Sequence, residues 1–242
     1  MIELLFYPSP NGQKVAIALE EMDLPWKLTY VDITRGMQFT PEFLAVSPNN
    51  KIPAIIDHDT PGEPLALFES GAILLYLAER SGRFLPQDPL RRHSTLQWLF
   101  WQMAGLGPMA GQAHHFRQFA KEKVPYGIQR YTDEVNRLYG VLNHQLKGRE
   151  FIADDYSIAD MACWPWVVHH DWQGQSLDDF PNVKRWYEAI GERPAVQRAM
   201  LHGRVRHSDA IGDTHLYGQT AAKMDELRQR SDANNEPTAG EK

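Results

Sequence analysis

SPNNKIPAIIDHDTPGEPLALFESGAILLYL, residues Ser47 to Leu77, decides how the rest of the chain is read. Its two short apolar runs, Ile52–Asp57 and Leu65–Phe68, are each bounded by turn residues, and that spacing predicts strand, turn, strand. A strongly helical segment, Ser70–Glu79, follows at once. Glu69 and Ser70 at its head are able to accept hydrogen bonds from the unpaired N–H groups of a first helical turn. Those N–H groups, at the positive end of the helix dipole, also suit an anionic ligand. Pro53 stands where the first strand begins, a position in which proline marks either a sheet edge or a cis bond that shapes a site. The stretch reads as the floor of a ligand pocket, although an ordinary hairpin and a capped helix share its local pattern.

Upstream, the short apolar run Ile2–Phe6 ends in Tyr7-Pro8-Ser9-Pro10-Asn11-Gly12. A helix is predicted to start near Gln13, with Val15, Leu19 and Met22 on one face. Trp26–Val31 is a second strand candidate, and a short helix over Pro41–Val46 leads into the opening stretch. The order strand, helix, strand, short helix, strand, strand, helix indicates a small α/β layer.

Downstream of the turn-rich connection SGRFLPQDP, Ser81–Pro89, no further strand run appears and helical spacing takes over. Ile128, Tyr131, Val135, Leu138 and Leu142 alternate at three and four residues. Leu96, Phe100 and Met103 predict an earlier helix, interrupted at Gly105-Leu106-Gly107-Pro108, and the aromatic run Trp98–Trp101 is expected to pack between helices. Ser157 with Asp160 three residues on is a capping-box variant and is assigned to folding, and Pro165 is expected to kink the helix that follows. Asp179–Glu192 and Ala195–Leu201 complete the helical set. The domain division that follows is 1–84, 90–205 and a polar C-terminal extension, 206–242, expected to be partly disordered.

The 242 residues suffice for a substantial core, and a formal net charge of −6 with no basic run argues against nucleic acid as a partner. No stretch is long and apolar enough to span a membrane. The N-terminus lacks a basic start and is broken at Pro8 and Pro10, so it does not read as a secretory signal, and the cytoplasm is the expected address. With Cys163 as the only cysteine, neither an internal disulfide nor a CxxC redox pair is available. His114-His115 and His169-His170 are adjacent pairs, which on a helix do not face one site, so no metal is expected.

Asn50–Ile55 (NKIPAI) followed by Phe68–Glu79 (FESGAILLYLAE) resembles the glutathione-site half of the glutathione transferase family. The likeness narrows with Ser9–Gly12 (SPNG) and with Gly36, Gln38 and Phe39 in a G-x-Q-F pattern. It continues through Leu96–Gln102 (LQWLFWQ), Gly105–Met109 (GLGPM), the histidine-bearing Gly111–Phe116, Pro125–Tyr131 and Tyr156–Trp166 (YSIADMACWPW). These motifs are similar to the nu-class bacterial transferases and their nitrogen-regulator relatives. The resemblance implies a thioredoxin-like α/β first domain and an all-helical second one, in a cytoplasmic homodimer. It also implies glutathione as cosubstrate and a small disulfide or an electrophile as its counterpart. Asn11 is then nearest the glutathione sulfur with Ser9 beside it. Gln38 and Lys51 hold the glycyl end, and Ile52, before a cis Pro53, holds the cysteinyl backbone. Glu69 and Ser70 hold the γ-glutamyl end, and Arg130 reaches across the dimer.

Read from the residues themselves, the Ser9 hydroxyl and the Asn11 amide are donors able to stabilise a thiolate without carrying charge. Tyr7 lies before the turn and ranks below them. The activity implied is reduction of disulfides by a bound glutathione thiolate with no protein cysteine. The alternatives are a conventional transferase that conjugates electrophiles and a regulatory protein that retains the fold without turnover.

Overall fold

The computed structural model describes residues 1–202 and 220–222, so most of the expected extension, 206–242, lies outside the described residues. Grouped by packing, the described chain forms two compact units. One holds Met1–Tyr7 and Trp26–Glu69; the other holds Pro8–Pro25 and the helices from Ser70 on.

The first unit is built on a four-stranded sheet of β1 (Ile2–Phe6), β2 (Trp26–Tyr30), β3 (Ala54–Asp57) and β4 (Leu65–Phe68), in the order β2-β1-β3-β4. β1 runs parallel to β2, with Ile2 opposite Trp26 and Phe6 opposite Tyr30, and antiparallel to β3, with Ile2 opposite Asp57. A parallel pair needs a long crossover, and α1 (Pro10–Met22) lies in the chain between β1 and β2. β1 is central, and Ile2, Leu4 and Phe6 on one face are as buried as Leu5 on the other. Leu5, Val31, Ala54 and Phe43 of α2 (Pro41–Val46) form the core of this unit, with Ile33, Val46, Ile52 and Ile56 packed against it. The β3 strand starts at Ala54, two residues later than the apolar run, because Pro53 has no N–H for the ladder.

The second unit comprises α1, α3 (Ser70–Ser81), α4 (Pro89–Trp101), α5 (Gly107–His114), α6 (Pro125–Gln145), α7 (Ile158–Val167), α8 (Pro181–Gly191) and α9 (Pro194–Leu201). α1 begins at Pro10, ahead of the expected Gln13, since proline is pre-set for a first helical turn and Ser9 caps it. α1 packs against α3, α7 and α9, which is why helices early in the chain share a unit with late ones. Arg193 grips the buried Glu21 carboxylate through two bonds of 2.6 and 2.9 Å while stacking on the Tyr156 ring, fixing α9 to α1.

Two expectations for the α4 region are corrected, that Trp98–Trp101 packs between helices and that the helix is interrupted at Gly105–Pro108. Its buried positions are Thr95, Leu99, Gln102 and Leu106, whereas Phe100 is 62% exposed and Leu96 and Met103 are only partly buried. The helix is also not interrupted at Gly105–Pro108: a π-turn over Gln102–Leu106 carries it directly into α5, and Pro108 falls in the first turn of that segment. The run Trp98–Trp101 therefore lies partly at the surface, with the two indoles edge to face at 5.1 Å.

Every residue of α7 is buried, and Pro165 lies two residues before its end. The capping box is formed: Ser157 Oγ accepts from Ala159 N, and Asp160 accepts from Ser157 N at 3.0 Å. The same carboxylate takes Ile152 N at 3.0 Å and Trp186 Nε1 at 2.9 Å. Among the described residues no helix is long and apolar enough to cross a membrane.

Asp160→Ala is expected to lower stability by more than about 3 kcal/mol, because several buried donors lose their acceptor at about 1–3 kcal/mol each. Urea denaturation measures this directly. A loss below about 1 kcal/mol would mean that the donors find other partners.

Candidate functional site

The first unit carries Gln38, Lys51, Ile52, Pro53 and Glu69. The Ile52–Pro53 peptide bond is cis, so Ile52 sits at a sharp turn immediately before β3. Ser47 Oγ braces this turn by donating to Lys51 C=O at 2.9 Å. Gln38 is 3% exposed; its Nε2 donates to Ile33 C=O at 3.2 Å, and its Oε1 has no partner among the described residues. Glu69, with Asn49 Nδ2 at 3.5 Å from its carboxylate, has φ +70, a left-handed conformation unfavourable for a residue with a side chain. Strain of that kind concentrates where a ligand is held. Tyr7, also in this unit, is buried against Tyr30 at 5.6 Å between ring centres. Burial foremost, then the Tyr30 and Asp32 charges, push its phenol up to about 12, so it stays protonated at neutral pH.

The second unit carries Ser9, Asn11, Ser70 and Arg130. Ser9 is the N-cap of α1, its Oγ accepting from Gly12 N at 3.2 Å. Asn11 sits in the first turn, half-buried, and its Oδ1 accepts from Trp166 Nε1 of α7 at 3.0 Å. The place where a thioredoxin-like chain would hold a reactive thiol thus presents the Ser9 hydroxyl and the Asn11 amide, at a helix start whose Gly12 and Gln13 N–H groups are already taken by Ser9. Those groups suit an anion, and no thiol is among them. Cys163 is fully buried in α7, where burial, and secondarily the Asp160 charge, push its thiol well above the usual range.

Ser70 opens α3, and here sequence reading missed its neighbour. Lys14 of α1 is 1% exposed, and its Nζ donates to Gln102 Oε1 at 2.6 Å and reaches Ser70 Oγ at 3.4 Å. An ammonium is donor-only, so Ser70 Oγ accepts from it, and the Ser70 hydroxyl donates to Met103 Sδ at 3.7 Å. A buried cation beside a helix N-terminus favours an anionic ligand there. Lys14 is hidden among ordinary helix residues; its one sequence signal is a charge directly ahead of the apolar run Val15–Leu19. Gly107 is needed for this arrangement, since a Cβ there would come within 2.7 Å of Gln102 Nε2 and 3.5 Å of Trp166 Nε1.

Arg130 stands apart from these groups on α6, lining an open groove of 660 Å³ together with Met109, Tyr126, Tyr131, Glu134 and Arg137. Arg137 is engaged by Glu134 through two bonds of 2.8 Å. His114 is buried, and burial followed by the neighbouring His169 lowers it to about 4. Among the described residues no three His, Cys, Asp or Glu side chains cluster as metal ligands.

Two family models match: the glutathione S-transferase N-terminal domain over residues 8–80 and the glutathione S-transferase C-terminal domain over residues 111–194. The chain is 54% identical to the disulfide-bond oxidoreductase YfcG of Escherichia coli K12 over 206 residues, 83% of this chain and 95% of that one. A glutathione transferase family member from Pseudomonas fluorescens, solved with two glutathione bound, is similar at TM-score 0.79 and 48% identity, covering 82% and 92% of the two chains. One from Pseudomonas putida, solved with one glutathione disulfide bound per subunit, is similar at 0.78 and 46%, covering 85% and 92%.

Gln102→Leu removes the amide and leaves the buried Lys14 amine without its shortest acceptor. It is expected to cost about 1.5–3 kcal/mol, the range for a hydrogen bond to a charged group. Chemical denaturation tests it, and a variant as stable as the wild type would show that Lys14 is secured by its other contacts.

Proposed function

We propose that this chain, which belongs to the glutathione S-transferase family, is a glutathione-dependent disulfide-bond oxidoreductase that works through a bound thiolate and no cysteine of its own. The observation that carries this proposal is the first turn of α1, where Ser9 and Asn11 offer neutral donors at a helix N-terminus and the only cysteine is buried elsewhere. Such donors lower the pKa of a thiol brought by a ligand. The thiolate of one glutathione attacks a sulfur of the substrate disulfide, forming a mixed disulfide and releasing one substrate thiolate. The thiolate of a second glutathione then attacks the glutathione sulfur of that mixed disulfide. Glutathione disulfide forms and the second substrate thiolate leaves, so two glutathiones supply the two electrons.

In this scheme Asn11 faces the sulfur and Ser9 supports it. Gln38 and Lys51 hold the glycyl end, Ile52 with cis Pro53 the cysteinyl backbone, and Glu69 and Ser70 the γ-glutamyl end. The left-handed Glu69 and the Lys14 ammonium beside Ser70 support the last assignment. A homodimer in the cytoplasm, with Arg130 contributing to the partner subunit's ligand, completes the proposal.

The test is glutathione-dependent reduction of a small disulfide, coupled to glutathione reductase and followed as loss of NADPH. Steady turnover that persists in Cys163→Ala is the expected result. Conjugation of an aromatic halide without disulfide reduction would instead identify a conventional transferase. Asn11→Ala is expected to lower turnover about 100-fold, as for loss of one donor to a developing anion, with a smaller change in glutathione affinity. Arg130→Ala is expected to weaken glutathione binding by about tenfold or more in calorimetry, and unchanged affinity would remove it from the site.

A further inference from the structure

Asn11 reaches the end of α7 through one hydrogen bond whose polarity is fixed by chemistry. The partner is Trp166 Nε1, at 3.0 Å, and an indole nitrogen is a donor with no acceptor capacity. The atom facing it is therefore Oδ1, since an amide turned the other way would set N–H against N–H. The two N–H groups of Asn11 Nδ2 are consequently held on the side away from Trp166.

Trp166 has little freedom to release this hold. It is buried; its backbone carbonyl accepts from Gln173 Nε2 at 2.6 Å, and Gln173 Oε1 accepts from the Tyr139 hydroxyl at 2.8 Å. His114 packs on the indole at 5.7 Å between ring centres, and Gly107 leaves space beside Nε1 that any side chain would narrow. Rotating the indole away would leave a buried N–H without an acceptor.

We infer that Trp166 is a positioning residue for thiolate activation: its indole N–H locks the Asn11 amide so that the NH2 group faces the ligand sulfur. This rests on the role proposed above for Asn11. An unlocked amide would present its oxygen to the sulfur in a fraction of molecules, repelling the thiolate that the site exists to hold. The charged and titratable groups near the pair, Lys14 one turn along α1 and His114 beside the indole, are common to every protein compared below.

The experiment is a double-mutant cycle on the ionisation of bound glutathione, read from the ultraviolet absorbance of the thiolate against pH. Wild type, Trp166→Phe, Asn11→Ala and the double variant are compared. Each single variant is expected to raise the thiol pKa, with Trp166→Phe lowering turnover about threefold to tenfold, the worth of one hydrogen bond of ordinary strength. The double variant is expected to show no shift beyond that of Asn11→Ala. Shifts that add would assign Trp166 a general structural part and overturn the inference, as would an unchanged pKa in Trp166→Phe. If Asn11→Ala itself leaves the thiol unchanged, the role of Asn11 fails first and that of Trp166 with it. Replacing Trp166 by benzothienylalanine, which keeps the ring shape and exchanges N–H for sulfur, covers the case in which the phenylalanine variant does not fold. It must reproduce the same dependence on Asn11.

Discussion

The carboxylate of Asp160 takes hydrogen bonds from Ile152 N, Ser157 N, Ser157 Oγ and Trp186 Nε1, and the helical unit depends on that convergence. Burial pushes this carboxyl up to about 6, while the donors pull the other way. They join the start of α7 to the loop before it and to α8. α7 is buried along its whole length, so its position is transmitted to every helix it touches, α1 among them. The far end of the same helix delivers Trp166 to Asn11. A capping device that stabilises the fold thereby also fixes the helix from whose far end Trp166 holds the Asn11 amide.

Charge is handled differently at the two helix starts. At α1 the polar groups are neutral, the Ser9 hydroxyl and the Asn11 amide, and in the proposed mechanism they stabilise a thiolate without forming a tight ion pair that would blunt it as a nucleophile. At α3 a full cation stands behind Ser70, secured by Gln102 from the π-turn. A carboxylate that is only to be bound tolerates a strong counter-charge; a sulfur that has to react is better served by hydrogen bonds. Asn11 and Lys14 are three residues apart on α1, so one face of one helix carries both kinds of contact.

Much of this was legible in the sequence because the signals are local. The Ser47–Leu77 stretch reads as strand, turn, strand and helix because Pro, Gly and Asp punctuate short apolar runs, and the structure has β3, β4 and α3 there. Ser157 and Asp160 announce the start of α7 through their own side chains. The buried face of α4 is set by a contact that is not local. Apolar spacing selects Leu96, Phe100 and Met103, but Gln102 takes a core position because Lys14, 88 residues away, satisfies its amide oxygen. The π-turn then shifts the register for Leu106, and no periodicity of 3.6 anticipates an extra residue in a turn.

By itself the sequence determined the element types, the cap residues, the absence of a second cysteine, and the resemblance that groups Ser9, Asn11, Glu69 and Ser70 into one chemistry. These rest on backbone preferences and short-range hydrogen bonds, which a chain carries wherever it folds. Only the tertiary structure decided which way the Asn11 amide points, that Lys14 is buried against Ser70 and Gln102, and which side of α4 faces inward. Each of those joins residues between 56 and 155 positions apart, or depends on a register set by such a contact. Burial and hydrogen-bond partners at that range are properties of packing, and a linear pattern does not contain them.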